Sequence, residues 1–394
     1  MNICILNHRE NNPYIGGVEK ISYTLAHLWK DRGYSVIFLS LQKSEIIKEY
    51  HSDCDEFFLP NNDNVCSIEN RKFIMEIFHK YQISIVINQA NVFPKVCALA
   101  RMIKQNLPIK LITTIHYAPL FELAGIENNF FLPTKKGIKN NLFSLLLFLR
   151  YYCYQKRNLI RVEAKRLQDT ASYSDFVVCL SEKFIPVFRK LLAFPIYYDK
   201  LVSIPNTVEL TKNIDSSKKK KQVLYVGRLE YGLKRVDRIL EIWKGIETEF
   251  KDWNLCIVGD GNSLESLKQL AKTYKLENIS FEGFRDPKIY FAESSIFCLT
   301  SSSEGFGLVL VEALMAKCVP IVYNSFLSVT DIIENGTNGI LIKPFKKKSF
   351  IAELKKLMVD SSERERLAQN NMVTLKKFEP SVILNQWDNL FSKL

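Results

Sequence analysis

Several kinds of feature are missing from this 394-residue chain. The longest apolar patch, "LFSLLLFL" from Leu142 to Leu149, is far shorter than the ~18 to 20 residues that a membrane span needs. The opening "MNICILNHRE" has no basic region or cleavage site of a signal peptide. From these absences we expect a soluble, cytoplasmic protein.

Two cofactor signatures are also missing. The nine cysteines include no C-x-x-C pair and mostly lie inside apolar runs, as Cys4, Cys179, Cys256 and Cys298 do. This pattern is typical of reduced core thiols and argues against a disulfide framework or a zinc cluster. No G-x-G-x-x-G follows an early strand, which argues against a dinucleotide-dependent dehydrogenase.

The composition is that of an ordinary globular protein, and the length suggests two domains. Lysine and arginine number 54 against 42 acids, a net charge of +12, which favours an anionic partner. Nucleic acid, an acidic membrane surface and a phosphorylated substrate all fit that charge. The first is disfavoured because no nucleic-acid-binding motif or interleaved basic and aromatic pattern is present.

Short apolar runs alternate with helical patterns throughout the chain, which predicts parallel sheets covered by helices on both faces. The pattern breaks at Pro205 to Gln222, where we interpret the four lysines Lys218 to Lys221 as a solvated linker. Two doubly wound domains with a cleft between them are therefore expected. Ligands bind such sheets beyond the carboxyl ends of the strands. The predicted strands are "NICILN", "SVIFLSL", "ISIVINQA", "IKLITTIH", "DFVVCLS", "QVLYVG", "NLCIVGD", "ISFEGF", "IFCLTS", "VPIVYN" and "NGILI".

The stretch "SSSEGFGLVLVEALMAKCVPIVY" is the most informative strand exit. Gly305, Phe306 and Gly307 lie where the strand "IFCLT" ends and a helix begins, so their N–H groups form an anion nest in line with the helix dipole. Glu304 precedes this helix, and Glu312 lies in its second turn among apolar residues. A buried carboxylate needs a partner, so we expect either ribose hydroxyls or a buried ion pair with a lysine or arginine at Glu312.

The segment "GRLEYGLKRVDR" follows another predicted strand. Gly227 removes side-chain bulk there, while Arg228 and Lys234 supply two cations. They suit a diphosphate, Arg228 through a bidentate fork and Lys234 as a point charge, although a solvated basic turn has the same composition.

Four further strand exits carry weaker signals. The pair Gly16 and Gly17 allows either a phosphate contact or a plain turn. Gly259 with Asp260 forms a tight turn with room for a ligand, and Phe284 is placed to meet a nucleobase. His116 ends its strand and points to the predicted cleft, as either a structural or a functional histidine.

Taken in order, these motifs resemble retaining GT-B glycosyltransferases of glycosyltransferase family 4. The likeness covers essentially the whole chain. The segments that carry it are "GGVEK", "TTIHYAP", "SIPNTV", "LYVGRLEYGLKRVDRIL", "LCIVGDG", "TSSSEGFGLVLVEALMAKCVPIV" and "DIIENGTNGILI". It implies an α/β fold of two Rossmann-like domains. The N-terminal, acceptor-side domain spans 1–205, the nucleotide-sugar-binding domain spans 206–378, and a C-terminal helix at 379–394 crosses back to the first domain.

The resemblance also implies roles. Arg228 and Lys234 are similar to the pair that binds the donor diphosphate, helped by backbone at Gly16, Gly17, Phe306, Gly307 and Leu308. Glu312 is similar to the acid that holds the ribose, Glu304 to the acid on the transferred sugar, and His116 to the histidine that touches this sugar. Gly227, Gly259, Asp260 and Phe284 complete the expected donor site. The family works without a metal or other cofactor and retains the anomeric configuration.

The chain departs from the family pattern at three places. Arg235 replaces a usual glycine, as does Cys318, and "YNSFLSVTDII" replaces a glycine-rich loop. We therefore expect a donor pocket altered around Asn324 to Thr330, with the nucleotide site kept.

The expected acceptor is a glycan or a polyprenyl-diphosphate-linked glycan in bacterial surface polysaccharide synthesis, such as capsule or O-antigen. Residues 126–166 mix aromatic and basic residues, which predicts either an amphipathic segment on the inner face of an anionic cytoplasmic membrane or a long core helix. Rival functions on the same fold are a nucleotide-sugar epimerase, which needs no acceptor, and a phosphorylase, which needs a pyridoxal-phosphate lysine.

Overall fold

The computed structural model describes residues 1–44, 50–123, 142–208 and 219–394, with backbone alone at 142–151. The chain divides into two compact units. The first contains Met1–Pro119, Ile160–Thr207 and Pro380–Leu394, and the second contains Leu120–Leu159 and Val208–Glu379.

The first unit is built on a seven-stranded parallel sheet in the order β3-β2-β1-β4-β5-β6-β7. Its central strands are almost wholly buried, as expected for a parallel sheet with helices on both faces. The strands are β1 (Asn2–Arg9), β2 (Ser35–Gln42), β3 (Glu56–Phe58), β4 (Ile85–Asn88), β5 (Lys110–Ile115), β6 (Phe176–Cys179) and β7 (Leu201–Ser203).

The C-terminal helix Pro380–Phe391 packs within this first unit. Trp387 meets the fully buried Trp29 edge-on, with ring centroids 5.3 Å apart. Asp388 binds both the Arg32 guanidinium and the Tyr34 hydroxyl. The other α-helices that contribute to this unit are Gly17–Asp31, Ile68–Lys80, Pro94–Asn106, Ile185–Leu191 and the C-terminal part of Leu142–Tyr173.

The second unit is built on a six-stranded parallel sheet in the order β10-β9-β8-β11-β12-β13. These strands are β8 (Lys220–Val226), β9 (Asn254–Val258), β10 (Ile279–Gly283), β11 (Ser294–Leu299), β12 (Val319–Tyr323) and β13 (Ile340–Ile342). Its α-helices after residue 219 are Val236–Trp243, Leu264–Tyr274, Lys288–Glu293, Leu308–Met315, Val329–Ile332, Lys347–Val359, Ser361–Gln369 and Asn371–Leu375.

The predicted strands are confirmed, and the two sheets confirm the doubly wound α/β class. Two short edge strands, Glu56–Phe58 and Leu201–Ser203, were not predicted. Among the described residues, no helix is long and apolar enough to cross a membrane.

The interpretation of the lysine run as a solvated linker is wrong for Lys219. Lys219 donates to the main-chain carbonyls of Phe291, Ser294 and Ala316 at 2.7–2.9 Å. Lys220 and Lys221 are solvent-exposed, as predicted, but they belong to strand β8 and not to a linker. Most of the expected linker, including Lys218, lies outside the described residues.

Candidate active site

The candidate site of the second unit lies at the carboxyl ends of β8 and β11, which are neighbours in the middle of the sheet. The chain leaves β8 toward β9 on one side and leaves β11 toward β12 on the other. Two loops therefore diverge from this point, which is where doubly wound sheets bind ligands. Lys234 lies in the loop after β8, and Glu304 lies in the loop after β11.

Lys234 and Glu304 form an ion pair across these two loops. The Lys234 ammonium lies 2.8 Å from Glu304 Oε1 and 2.7 Å from Oε2. The Glu304 side chain is 9% exposed and that of Lys234 is 27% exposed, so water still reaches the cation. The Ser301 hydroxyl donates a further hydrogen bond to Glu304 Oε1 at 2.7 Å. Sequence reasoning found both ions but not their pairing, nor Ser301.

The main chain on both sides of Lys234 is fixed to the β11 loop. The Leu233 carbonyl accepts from the Ser302 N–H at 2.7 Å, and the Arg235 carbonyl accepts from the Thr300 hydroxyl at 2.9 Å. These two bonds hold the backbone that carries Lys234 against the loop that carries Glu304.

Arg235, the residue that replaces the usual glycine, has a left-handed backbone with φ 49°. Such a conformation strains any side-chain-bearing residue, which explains why glycine suits this position. The Arg235 side chain is 2% exposed and binds the Asp237 carboxylate at 2.8–3.3 Å. Its Nη1 has no hydrogen-bond partner among the described residues.

Arg228 shares the strand exit but not the ion pair. Its side chain is 74% exposed, and its guanidinium lies 4.0 Å from the Glu230 carboxylate. The structure thus brings Lys234 and Glu304 together and leaves Arg228 in solvent, free to reach an incoming anion.

Tyr225 is a site residue that the sequence patterns did not reveal. It is fully buried, and its hydroxyl donates to the Arg228 carbonyl at 3.4 Å. Burial, followed by the charges of Glu304 and Glu230, raises the pKa of Tyr225 well above its ordinary value. The phenol therefore stays neutral.

The glycines of the β9 loop allow two backbones to approach each other. A Cβ at Gly259 would lie 1.9 Å from the Gly227 carbonyl oxygen, and a Cβ at Gly261 would lie 2.5 Å from that of Leu229. Asp260 accepts from the Gly261 N–H at 2.7 Å. The room that the sequence suggested for a ligand at Gly259 is taken by the β8 loop; ligand contacts of Gly227, Gly259 and Asp260 stay a prediction.

The N-terminus of the helix Leu308–Met315 lies beside the ion pair in sequence. Gly307 caps it with φ 90°, a conformation that favours glycine. The Phe306 ring is buried against Phe378, with centroids 5.3 Å apart, so Phe306 has only main chain to offer a ligand. The first N–H groups of a helix lack intrahelical acceptors and suit an anion.

The expectation that Glu312 is a buried carboxylate is wrong. Glu312 lies on a partly exposed side of the helix, together with Leu308, Val309 and Met315. The buried side consists of Leu310, Val311, Ala313 and Leu314. The apolar composition concealed the partly exposed side. Glu312 has interactions of its own within the described residues, and binding of ribose stays a prediction.

The loop after β12, where the chain departs from the family pattern, supports the Glu304 loop. Ser325 donates to the Ser301 carbonyl at 2.6 Å, and Ser328 donates to the Phe306 carbonyl at 3.2 Å. Substitutions in the segment Asn324 to Thr330 therefore reach the candidate site through its main chain. Phe284 lies beyond the edge strand β10 with 53% exposure.

In the first unit, His116 follows β5 and contacts Gln89, which follows β4. His116 Nε2 lies 2.6 Å from Gln89 Oε1. Because Oε1 can only accept, Nε2 carries the proton and Nδ1 stays an acceptor. Burial lowers the pKa of His116 to about 4, so the ring is neutral at pH 7.

Gly16 and Gly17 lie at the start of the first helix of this unit. Gly16 caps it with extended backbone at φ −170°. A Cβ at Gly17 would meet nothing within 4 Å. Neither glycine is required by strain, and Gly17 leaves open space beside a helix N-terminus.

Two family models match this chain. The model for glycosyl transferases group 1 matches residues 207–373, and that for glycosyltransferase family 4 matches residues 15–212. The chain belongs to glycosyltransferase family 4. The resemblance seen in the sequence motifs is thereby confirmed. The two family models together cover strands of both sheets of this glycosyltransferase.

Relatives of this glycosyltransferase extend over its full length. An uncharacterized glycosyltransferase of Haemophilus influenzae is 26% identical over 387 residues, 95% of this chain and 96% of that one. An α-1,4-N-acetyl-D-galactosaminyltransferase of Campylobacter jejuni, named for a diNAcBac-PP-undecaprenol-linked acceptor, is 23% identical over 96% of both chains. A capsular polysaccharide biosynthesis glycosyltransferase of Staphylococcus aureus, CapM, is 24% identical over 172 residues, 43% of this chain and 45% of that one.

Solved structures share the fold. Anabaena HepE in complex with UDP-glucose gives a TM-score of 0.74 at 16% identity, covering 100% of both chains. Sucrose-phosphate synthase from Thermosynechococcus elongatus gives 0.75 at 16% identity over 100% of this chain and 99% of that one. The apo lipopolysaccharide outer core galactosyltransferase WaaB gives 0.69 at 17% identity over 100% of both chains. These likenesses confirm the GT-B fold.

Proposed function

We propose that this glycosyltransferase moves a sugar from a nucleoside-diphosphate sugar to a glycan or polyprenyl-diphosphate-linked acceptor, with retention of configuration. The observation that carries the proposal is the Lys234–Glu304 pair at the β8 and β11 exits. A cation for a diphosphate and an acid for sugar hydroxyls meet at one point. HepE with UDP-glucose supports the donor class, because it is a neighbour of the same fold.

The donor diphosphate replaces Glu304 as the partner of Lys234 in this proposal. Lys234 then stabilises the charge that develops on the leaving nucleoside diphosphate, together with Arg228 and the N–H groups at Phe306, Gly307 and Leu308. Fixed donors act without reorganising when the glycosyl bond breaks. The main-chain bonds around Lys234 supply this rigidity.

Glu304, once released from Lys234, accepts hydrogen bonds from hydroxyls of the transferred sugar. Ser301 keeps one of its oxygens in place. Glu312 accepts from the ribose hydroxyls on the partly exposed face of its helix. Gly227, Gly259, Asp260 and Phe284 are the remaining proposed donor contacts in this unit.

The first unit contributes His116, Gly16 and Gly17 to the proposed reaction. The neutral ring of His116 has an acceptor at Nδ1, which suits a sugar hydroxyl. The open space at Gly17 lets a phosphate approach the helix N-terminus. We expect the chemistry to need no metal and no other cofactor.

The proposed setting is bacterial surface polysaccharide synthesis, such as capsule or O-antigen, on the inner face of the cytoplasmic membrane. The support is the polysaccharide enzymes among the relatives, including amylovoran biosynthesis glycosyltransferase AmsD of Erwinia amylovora, 30% identical over 178 residues, 45% of this chain and 49% of that one. An anionic membrane surface is a further proposed partner. Residues 126–141 of the predicted amphipathic segment lie outside the described residues.

A screen of nucleotide sugars for thermal stabilisation tests the donor class. We expect one nucleotide sugar to raise the melting temperature of the wild type and to be hydrolysed slowly. Arg228→Ala and Glu312→Ala should weaken that stabilisation, because they remove a proposed contact to the diphosphate and a proposed contact to the ribose. Neither side chain is fully buried, so we expect both variants to fold. The proposal fails if no nucleotide sugar stabilises the wild type, or if both variants bind the donor as well as it does.

The stereochemistry and reaction type need a separate measurement. Proton NMR of the product formed with the identified donor should show the anomeric configuration of the donor sugar in a new glycosidic bond. An inverted product would refute retention. An isomerised nucleotide sugar formed without acceptor would favour the epimerase.

A further inference from the structure

The first unit has an exposed apolar tip at Ala193–Ile196, between the helix Ile185–Leu191 and strand β7. Four consecutive residues, "AFPI", are exposed there. Phe194 is 57% exposed and Ile196 is 77% exposed. Adjacent exposed residues of this size mark an interaction surface more often than isolated ones do.

The tip is held in place by hydrogen bonds to the helix Leu142–Tyr173 and its end. The Ala193 N–H donates to Gln168 Oε1 at 3.2 Å. Lys200 donates to the carbonyls of Ala171 and Ser174 at 2.9 and 2.7 Å. The apolar side chains are thus presented outward from an anchored loop.

Aromatic and cationic side chains surround the tip. Phe194 meets Tyr197 edge-on, with centroids 6.4 Å apart, and Lys200 lies 5.4 Å from the centre of the Tyr197 ring. Arg189 lies 5.5 Å from the centre of the Tyr198 ring. Aromatic rings beside lysine and arginine are typical of side chains at a membrane–water interface.

The charge around the tip is positive in excess. The segment 182–200 contains the cations Lys183, Arg189, Lys190 and Lys200, and the acids Glu182 and Asp199. On the neighbouring helix, Arg161 and Lys165 are exposed, followed by the exposed Asp169. Six cations against three acids favour an anionic surface over a neutral or basic partner.

We propose that the tip Ala193–Ile196 inserts into the interfacial layer of an anionic lipid bilayer, with Arg189, Lys190, Arg161 and Lys165 against its headgroups. Phe194 and Ile196 supply apolar area, and the cations supply attraction to anionic lipid, the two components of interfacial binding. The inference deepens the proposed function, on whose lipid-linked acceptor it rests, by naming the surface that meets the membrane.

Vesicle flotation of the full chain tests this surface. We expect binding to vesicles of phosphatidylcholine with a quarter phosphatidylglycerol and little binding to phosphatidylcholine alone. Phe194→Ser with Ile196→Ser should weaken binding about tenfold or more, because the variant lacks the apolar area that would leave water for the lipid. Arg189→Gln with Lys190→Gln should weaken it severalfold and reduce its sensitivity to salt.

A matched control removes two exposed apolar side chains from the second unit. Val359 and Val373 are 74% and 76% exposed, so Val359→Ser with Val373→Ser should leave vesicle binding unchanged. The proposal is overturned if the tip variant binds vesicles as well as the wild type does. It is also overturned if the wild type binds equally to vesicles with and without phosphatidylglycerol. A tip variant that only changes the oligomeric mass in light scattering also overturns it, in favour of a protein interface.

The donor screen separates this proposal from the proposed function. The tip variant should keep the nucleotide-sugar stabilisation of the wild type in the absence of lipid. Vesicle binding without any stabilisation by a nucleotide sugar would refute the proposed donor class and support the proposed membrane surface. Nucleotide-sugar response without vesicle binding would do the reverse.

Discussion

Lys234 and Glu304 face each other from two loops that are 70 residues apart in sequence, with N–O distances of 2.7 and 2.8 Å. Each ion neutralises the other until a ligand supplies a better partner. A diphosphate has more charge than one carboxylate and competes for the lysine. The pair is thus a site in which donor binding exchanges one ionic contact for another.

Removing the charge of Glu304 should affect nucleoside-diphosphate binding and sugar transfer in opposite directions. Glu304→Gln should tighten the Kd of the free nucleoside diphosphate by about two- to fivefold, because Lys234 loses its competing carboxylate. The same variant should slow transfer by about a hundredfold, because the sugar loses its charged acceptor. Isothermal titration and initial rates measure the two effects.

Glu293→Gln is the matched control for this change. Glu293 pairs with Lys220 at 2.5 Å, at the opposite end of strand β8. The control makes the same change in net charge and should alter neither quantity. A looser diphosphate Kd in Glu304→Gln would contradict the exchange of partners.

Arg235 offers a test of backbone strain. Arg235→Ala should lower the free energy of unfolding by about 3 kcal/mol, because it leaves the Asp237 carboxylate largely buried without its guanidinium. Arg235→Gly should cost about 1 kcal/mol less than Arg235→Ala, because glycine takes φ 49° without strain. Urea denaturation of both variants gives the difference, and equal stabilities would refute the strain.

Gly259 should tolerate no side chain. Gly259→Ala places a Cβ against the Gly227 carbonyl and should cost about 3 kcal/mol or more of unfolding free energy. Gly232→Ala serves as the control, because nothing lies within 4 Å of its Cβ. That variant should stay within about 0.5 kcal/mol of the wild type. Similar melting temperatures for both variants would show that the two loops are not held together.

His116 should make stability depend on pH. Its pKa is lowered from 6.5 to about 4 in the fold by burial, so the unfolded chain binds more protons between these values. The free energy of unfolding should therefore fall as pH drops from 6.5 to 4, with at most about 1.4 kcal/mol per pH unit from this residue. Denaturant titrations of wild type and His116→Gln measure it. Identical pH slopes in the two proteins would contradict the lowered pKa of the His116 ring.

The sequence was sufficient to predict eleven of the strands in the described residues and to place Lys234 and Glu304 after two of them. Apolar strand runs and polar strand exits are local patterns, so Lys234 and Glu304 could be placed at strand ends from their neighbours alone. The short edge strands Glu56–Phe58 and Leu201–Ser203 have too few residues to show a pattern.

Contacts between distant segments were beyond the sequence. The left-handed turn at Arg235 and the packing of Gly259 on Gly227 depend on how strands β8, β9 and β11 are aligned. Glu312 was misjudged because a count of apolar neighbours does not say which side of a helix is covered. The Lys219 contacts with three carbonyls were hidden in a run of like charges.

The most direct test is a crystal structure of the protein with its nucleotide sugar bound. We predict that the Lys234 ammonium lies within hydrogen-bond distance of a diphosphate oxygen and that the Glu304 carboxylate accepts from hydroxyls of the sugar. A donor bound at the site with the Lys234–Glu304 pair intact, or a donor bound away from the β8 and β11 exits, would contradict it.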